Sequence, residues 1–321
     1  MKILAVQNRM GIGDMVIFLP YIEAISKQFN SPVSILVKEN SKATQFLSNN
    51  KHIDKIIILE RDNEKRNGKH DGLLGSIKLA KDLKEYNFDK IFIFNSSLRF
   101  YLIAKLAGIK KIYQYPLFQK KNQHIIEAAK KFSKEKLNLN VSTNPNIIVK
   151  NEDIKEAKSK FDINNSQINF ILGIGGSGET KRVPAKVFID LIKLCSEEYN
   201  CRFFLATGHK TQEQEILSEI LNSEYKKNCE PLDKFSIREI IPIIKNCNIS
   251  VCNDSSFSHL SAAVGVETIV LMTDTPLIYG TYNTKMHAII PDGEETVTHN
   301  TLGKNKINPH KIFALIKKIL A

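Results

Sequence analysis

Short apolar runs alternate with amphipathic stretches along the whole chain, and this alternation restricts it to few folds. In the first half, strand-like runs lie at 3–7, 33–38, 55–59, 90–94, 111–115 and 146–149. Helical spacing fills the gaps, as at 14–29, with apolar residues at 15, 16, 18, 19, 22 and 25, and at 73–86. The second half repeats the scheme, with strands at 168–172, 202–206, 248–252, 268–272 and 287–290 and helices at 184–199, 211–222, 235–246, 256–264 and 309–320. Strands separated by helices of this length form parallel β/α units. The fold class is therefore α/β, with two doubly wound domains. The polar stretch 151–167, with a short helix at 153–161, reads as the linker and sets the domains at 1–160 and 161–321. Ligands of such sheets bind outside the carboxyl ends of the strands, so a cleft between the domains is the expected site.

Composition narrows the class. With 42% hydrophobic and 25% charged residues the chain reads as a soluble globular protein. It opens directly on the strand-like Ile3-Leu4-Ala5-Val6, and its longest uncharged apolar segments, such as Ile240–Ile244, fall far below the roughly 18 residues that span a bilayer. Neither signal peptide nor membrane helix is expected, which implies a cytoplasmic protein. Cys195, Cys201, Cys229, Cys247 and Cys252 include no CxxC pair and read as reduced, core-filling thiols rather than a zinc site. Charge is uneven. Residues 1–160 hold 29 Lys and Arg against 16 Asp and Glu, whereas 161–321 hold 17 against 18. A one-sided excess points to an anionic partner of the first half. The near-neutral second half and the few aromatics in basic loops speak against nucleic acid.

Four segments carry chemistry. Asn253-Asp254-Ser255-Ser256-Phe257-Ser258-His259-Leu260 turns from a strand into a small-residue helix. Such a turn aims unpaired N–H groups and a positive dipole end at an anion, although Asp or Ser there also serves as an ordinary cap. Gly173-Ile174-Gly175-Gly176-Ser177-Gly178 follows another strand and ends in Glu179-Thr180-Lys181-Arg182. Glu179 stands where a triphosphate-binding P-loop needs lysine, leaving a backbone cradle with a Lys-Arg pair that suits a diphosphate. Gly11-Ile12-Gly13-Asp14 lacks the third glycine of a dinucleotide fingerprint, and Asp14 would repel a pyrophosphate. A carboxylate at a helix start is instead favoured in its charged form and can act as a general base, or merely cap the helix. Residues 60–75 place Arg61, Lys65, Arg66, Lys69 and His70 between a strand and a helix, as a loop gripping acidic groups or as a solvated surface loop.

In order and spacing, these blocks resemble glycosyltransferase family 9, typified by the ADP-heptose:lipopolysaccharide heptosyltransferases. Gly13-Asp14 with Leu19-Pro20, Lys181-Arg182-Val183-Pro184 with Phe188, and Asn253–Ser256 with His259-Leu260 and Thr273-Asp274-Thr275-Pro276 carry the likeness. The resemblance implies a GT-B fold of two Rossmann-like domains around a central cleft, with the acceptor on the first and the nucleotide-sugar on the second. It implies inverting, metal-independent transfer without a cofactor. Asp14 would be the base and Lys181 the diphosphate ligand. Gly175, Ser177, Glu213, Phe235, Asp254, Ser255, Ser256 and His259 would complete the donor site. Gly13, Arg61, Lys65, Arg66, Lys69 and Arg99 would meet the acceptor. Asp-Ser-Ser replaces the family's Asp-Thr-Gly, and Ser256 narrows the approach that glycine permits. The partners that the resemblance implies are a nucleotide-sugar, ADP-heptose, and an anionic glycolipid at the cytoplasmic face of the inner membrane, met peripherally. A non-catalytic glycan- or nucleotide-binding protein, which would bind nucleotide without turnover, and a GT-B-shaped nucleotide-sugar epimerase, which would need acid/base carboxylates beside the donor, are the alternatives.

Overall fold

A computed structural model of the chain describes all residues except Met10, 63–64, Arg66 and 118–123. It divides into two compact units, Met1–Pro145 and Asn146–Ala321.

The first unit runs β1 (Ile3–Gln7), α1 (Ile12–Phe29), β2 (Val33–Val37), α2 (Ala43–Phe46), β3 (Ile53–Ile58), α3 (Gly72–Glu85), β4 (Lys90–Ile93), α4 (Leu98–Leu106), β5 (Lys111–Gln114) and α5 (Ile125–Leu137). Its five strands are parallel in the order β3-β2-β1-β4-β5. β1 is buried on both faces, which explains its uninterrupted apolar run. Leu4 and Val6 point to the face covered by α3 and α4, where Leu79, Leu83, Phe100 and Ile103 complete the core. The opposite face is aromatic: Phe18 lies 5.1 Å from Phe94, and Phe94 lies 5.4 Å from Phe132 of α5. Tyr21 Oη donates to the Ile126 carbonyl at 3.1 Å and ties α1 to α5.

The second unit runs α6 (Asn151–Lys160), β6 (Ile168–Gly173), α7 (Ala185–Glu198), β7 (Cys201–Ala206), α8 (Thr211–Leu221), β8 (Cys229–Pro231), α9 (Ile237–Lys245), β9 (Ile249–Asn253), α10 (Ser256–Ala263), β10 (Glu267–Leu271), β11 (Met286–Ile289) and α11 (Pro309–Leu320). Its six parallel strands follow the order β11-β10-β9-β6-β7-β8. Phe170, Leu172, Phe203, Val251 and Ile269 meet Phe188 and Leu191 of α7 and Ile312 and Ile316 of α11 in one core. In both units strand order reverses once, between β1 and β4 and between β6 and β9. Loops diverge at those two places and leave room for a ligand.

Several boundaries differ from the sequence expectation. Residues 146–149 form no strand; the Ile147 N–H donates to the Ala263 carbonyl at 2.9 Å and docks this segment on the second unit. The helix expected in a linker, α6, belongs to that unit too, held where Asn246 Nδ2 donates to the Ile154 carbonyl at 2.9 Å. The division thus falls at 145/146 rather than 160/161. α1 starts at Ile12, two residues early, and β8 is a short edge strand ending in Pro231, a residue that an edge tolerates. With the observed boundary the first unit holds 25 Lys and Arg against 13 Asp and Glu, a surplus of 12, and the second unit balances at 21 and 21. All five cysteines are unpaired, and burial pushes the Cys252 thiol up to about 12. No helix among the described residues is long and apolar enough to cross a membrane.

Candidate active site

In the second unit, the loops after β6 and β9 meet at the reversal of strand order. Asn253, wholly buried at the end of β9, joins them: its Nδ2 donates to the carbonyls of Ile174 at 2.8 Å and Gly175 at 3.2 Å, and its Oδ1 accepts the Val183 N–H at 3.3 Å. A side chain at Gly175 would crowd two of its buried neighbours. A Cβ there would lie 2.6 Å from Glu213 Oε1 and 2.9 Å from Thr207 Oγ1. Glu213 is buried and accepts the Gly176 N–H at 2.9 Å and the Lys210 N–H at 3.4 Å, so it braces the glycine loop and caps α8 at once. Arg182 is buried as well, its guanidinium donating to the Gly176 carbonyl at 2.9 Å and to Gln212.

Above this brace sits a buried charge pair. Lys181 Nζ lies 2.7 Å from Asp254 Oδ2; the lysine side chain is 25% exposed and the aspartate 4%. Thr275 donates its hydroxyl to the same carboxylate. Burial pushes the Asp254 carboxyl up, but Lys181, His259 and the hydrogen bonds from Lys181 and Thr275 outweigh it and hold it below the usual carboxylate range. His259 Nδ1 and Tyr282 Oη form a buried hydrogen bond at 3.0 Å beneath the pair. Burial, then the Asp254 charge, pushes the Tyr282 hydroxyl up.

Ser255 is the extended N-cap of α10, at φ −145° and ψ 175°, yet its side chain makes no cap bond. Its Oγ is buried without a partner among the described residues, as is Oγ1 of Thr207 at the end of β7. Buried hydroxyls are seldom left so. The first N–H groups of α10, on Ser256 and Phe257, have no intrahelical partner. An ammonium, a helix start and two unsatisfied hydroxyls thus share one rim, a combination that suits an anion with several oxygens. Ser177 lies exposed on the glycine loop. The Phe235 ring is turned to another contact, 5.2 Å from Phe161 and 5.0 Å from Lys160 Nζ, while its backbone follows β8, with its N–H donating to the Leu232 carbonyl.

The first unit presents a second constellation where β1 and β4 part. Gly13 and Asp14 lie in the first turn of α1, and Asp14 accepts the Gly11 N–H at 3.2 Å on one oxygen and Arg9 Nε at 2.8 Å on the other. Arg9 also lines a cavity of about 470 Å³, walled by Phe18, Phe94, Tyr115 and Phe132 with Asn95 at its rim. Tyr115 Oη is buried without a partner among the described residues.

The expected gripping loop is tied down internally. Asp71 takes Arg61 Nε at 2.8 Å and the N–H groups of Asp62 at 2.8 Å and Gly68 at 3.0 Å. Those bonds, Arg61 foremost, hold its carboxyl below the usual range. Lys69 pairs with Asp82 at 2.6 Å, and Arg99 donates to Ser76 at 2.9 Å and to the His70 carbonyl. His70 is buried and takes the Glu60 N–H at 3.0 Å on Nδ1, so the proton for Asp82 sits on Nε2. Lys65 is exposed, and Arg66 lies outside the described residues. Lys38, after β2, adds a cation beside Arg61 and Asp71; burial and then Arg61 lower its ammonium's proton affinity.

Residues 76–304 match the family model of glycosyltransferase family 9 (heptosyltransferase). The chain belongs to this family. It is a glycosyltransferase with the GT-B class of fold. It is 23% identical to lipopolysaccharide heptosyltransferase 1 of Campylobacter coli, covering 99% of each chain. In structure it is similar to the E. coli ADP-heptose lipopolysaccharide heptosyltransferase II, with TM-score 0.77 and 18% identity over 100% of this chain and 98% of that one. It is also similar to an E. coli heptosyltransferase solved with ADP, with TM-score 0.72 and 14% identity over 99% and 100% of the two chains. The family match begins after Asp14, which therefore rests on its own geometry within this family 9 enzyme.

Thr207, Thr275 and Tyr282 escape sequence reading as working parts of the second unit, and Lys38 and Tyr115 as parts of the first. Thr275 had a signal, since it stands in the Thr273–Pro276 block, and Asn253 stands in the Asn253–Ser256 block, although its part as a clamp shows only in the structure. The others are brought in by topology from places far apart in the chain.

Proposed function

We propose that the enzyme transfers a sugar, heptose from an adenosine diphosphate donor, to an anionic glycolipid acceptor of the lipopolysaccharide core, with inversion and without a metal. The second unit takes the donor and the first the acceptor. The observation that carries this reading is the Lys181–Asp254 pair beside the open start of α10. Asp254 positions the ammonium without using all its protons, and Ser255, Ser256 and Phe257 offer donors for the diphosphate.

Asp14 removes the proton of the acceptor hydroxyl as that oxygen attacks the anomeric carbon. The bond from that carbon to the diphosphate oxygen breaks, and its electron pair stays with the leaving nucleoside diphosphate. Lys181 and the N–H groups of Ser256 and Phe257 meet the charge that develops there; one well-placed donor of this kind contributes on the order of 3 kcal/mol. Lys38, Arg61 and Arg99 gathered about Asp71 support an acidic acceptor group. The surplus of 12 positive charges on the first unit fits a protein working peripherally at the cytoplasmic face of an anionic membrane.

Asp14→Asn tests the base. Turnover should fall by about a hundredfold or more, the usual weight of a general base, while ADP affinity by calorimetry stays unchanged. Undiminished turnover would remove Asp14 from the mechanism.

A further inference from the structure

Six of the nine large apolar side chains exposed among the described residues fall on two neighbouring helices, α3 and α4. Leu73 is 87% and Leu74 75% exposed in the first turn of α3, with Ile77 one turn on; Leu98, Leu102 and Leu106 form a stripe along α4, at i, i+4 and i+8. The Arg99–Ser76 hydrogen bond joins the starts of the two helices, so the leucines form one patch rather than scattered residues. Single exposed leucines need no explanation, but a gathered set does. Further along the same exposed side of α3 come Lys78, Lys81 and Lys84; Lys105 stands on α4, with Lys110 and Lys111 beyond it. None of these lysines makes an ion pair among the described residues; of the acidic groups on α3, Asp82 is engaged by Lys69 and His70, and Glu85 stands exposed at the helix end, one turn beyond Lys81, so the face keeps a surplus of positive charge.

We infer that this leucine patch and its lysines are the surface by which the enzyme docks on an anionic lipid bilayer. Leucines enter the interface between head groups and acyl chains while lysines stay at the head groups. A second copy of the chain is a poorer occupant, because an isologous contact would set this net positive surface against itself and bring no acidic surface to its lysines. Position supports the lipid as well. α3 and α4 follow β3 and β4, and the strands are parallel, so both helix starts lie on the rim that carries Asp14 and the aromatic cavity. A head group emerging from the bilayer would arrive at that rim. The inference deepens the reading of a membrane-borne acceptor and rests on it, but lipid binding can be measured without any transfer.

The test is co-sedimentation of the full chain with phosphatidylcholine vesicles, with and without one third phosphatidylglycerol. The wild type should partition to the anionic vesicles about tenfold better than to the neutral ones. Leu73→Ser, Leu74→Ser, Leu98→Ser and Leu102→Ser combined should lower partitioning at least about tenfold, and Lys78→Glu with Lys81→Glu should do the same on anionic vesicles only. These side chains are exposed, so the melting temperature, ADP affinity and turnover on a water-soluble acceptor fragment should stay as in the wild type. Undiminished vesicle binding by the leucine variant would overturn the inference, as would a wild type that ignores the vesicles. A wild-type dimer that the leucine substitutions split would overturn it too, by showing that a second copy covers the patch. Transfer to the soluble fragment would stand in each of these cases, and its absence in the wild type would count against the transferase reading instead.

Discussion

Replacing Lys181 with Met removes the cation 2.7 Å from Asp254 and leaves a carboxylate that is 4% exposed, with Thr275 and His259 beside it. Breaking a buried pair from one side costs about 3–5 kcal/mol, and the lower end applies here because the lysine is partly solvated. For a unit of this size about 3 kcal/mol lowers Tm by roughly 6–12 °C. The two single substitutions should be unequal. Asp254→Asn leaves behind a lysine that can turn to water, and an amide that still accepts from Thr275, so it should cost about 1–1.5 kcal/mol. The double variant should resemble Asp254→Asn, not the sum. Acid sharpens the comparison. In the wild type the carboxyl is held low, so the pair's contribution is present above the ordinary carboxylate range and lost as pH falls through the depressed value. In Lys181→Met, burial, the largest influence on this carboxyl, is opposed by His259 and Thr275 without the lysine, so the carboxyl moves up and the deficit shrinks as pH falls from neutral. Scanning calorimetry of the three variants at neutral and mildly acidic pH measures all of this. Asp254→Asn as damaging as Lys181→Met, or a Lys181→Met deficit that grows on acidification, would refute the reasoning.

Two further substitutions probe the loops. Gly175→Ala forces a Cβ to within 2.6 Å of Glu213 Oε1, and should cost about 1–3 kcal/mol while weakening ADP binding, as calorimetry would show. Glu213→Ala on the same background should recover part of the lost stability. Tyr115→Phe removes a buried hydroxyl that has no partner among the described residues, so stability should hold or rise by up to about 1 kcal/mol. A higher KM for the acceptor in that variant, with donor KM unchanged, would place the hydroxyl against the acceptor.

The strands of both sheets were legible because parallel strands buried on both faces read as short apolar blocks between helices. Ile147-Ile148 mimics such a block, but Pro145 precedes it and the Ile147 N–H serves docking on α10, which no local pattern reveals. β8 failed in the opposite sense, being three residues long and closed by a proline. At the site, the residues that announce themselves are those in strand-to-helix turns: Asp14, Lys181, Asp254 and Ser255. The loop at 60–71 shows the limit of reading charge from sequence. Its cations looked available, yet Asp71 and Asp82, at its end and on the following helix, engage Arg61 and Lys69. Tyr115 and Phe132 mattered only once β5 and α5 had been laid beside Phe94.

The single amide of Asn253 binds three backbone groups of a loop that is otherwise glycine-rich. Glycine segments of this kind ordinarily lose about 1–2 kcal/mol of backbone freedom per residue when a ligand orders them. Here that loss has already occurred when the second unit folds. A ligand at the β6–β9 junction meets a loop already held at both of its ends, so less ordering accompanies its binding. The same clamp makes the loop and strand β9 one mechanical part, in which a change of shape on either side reaches the other at once.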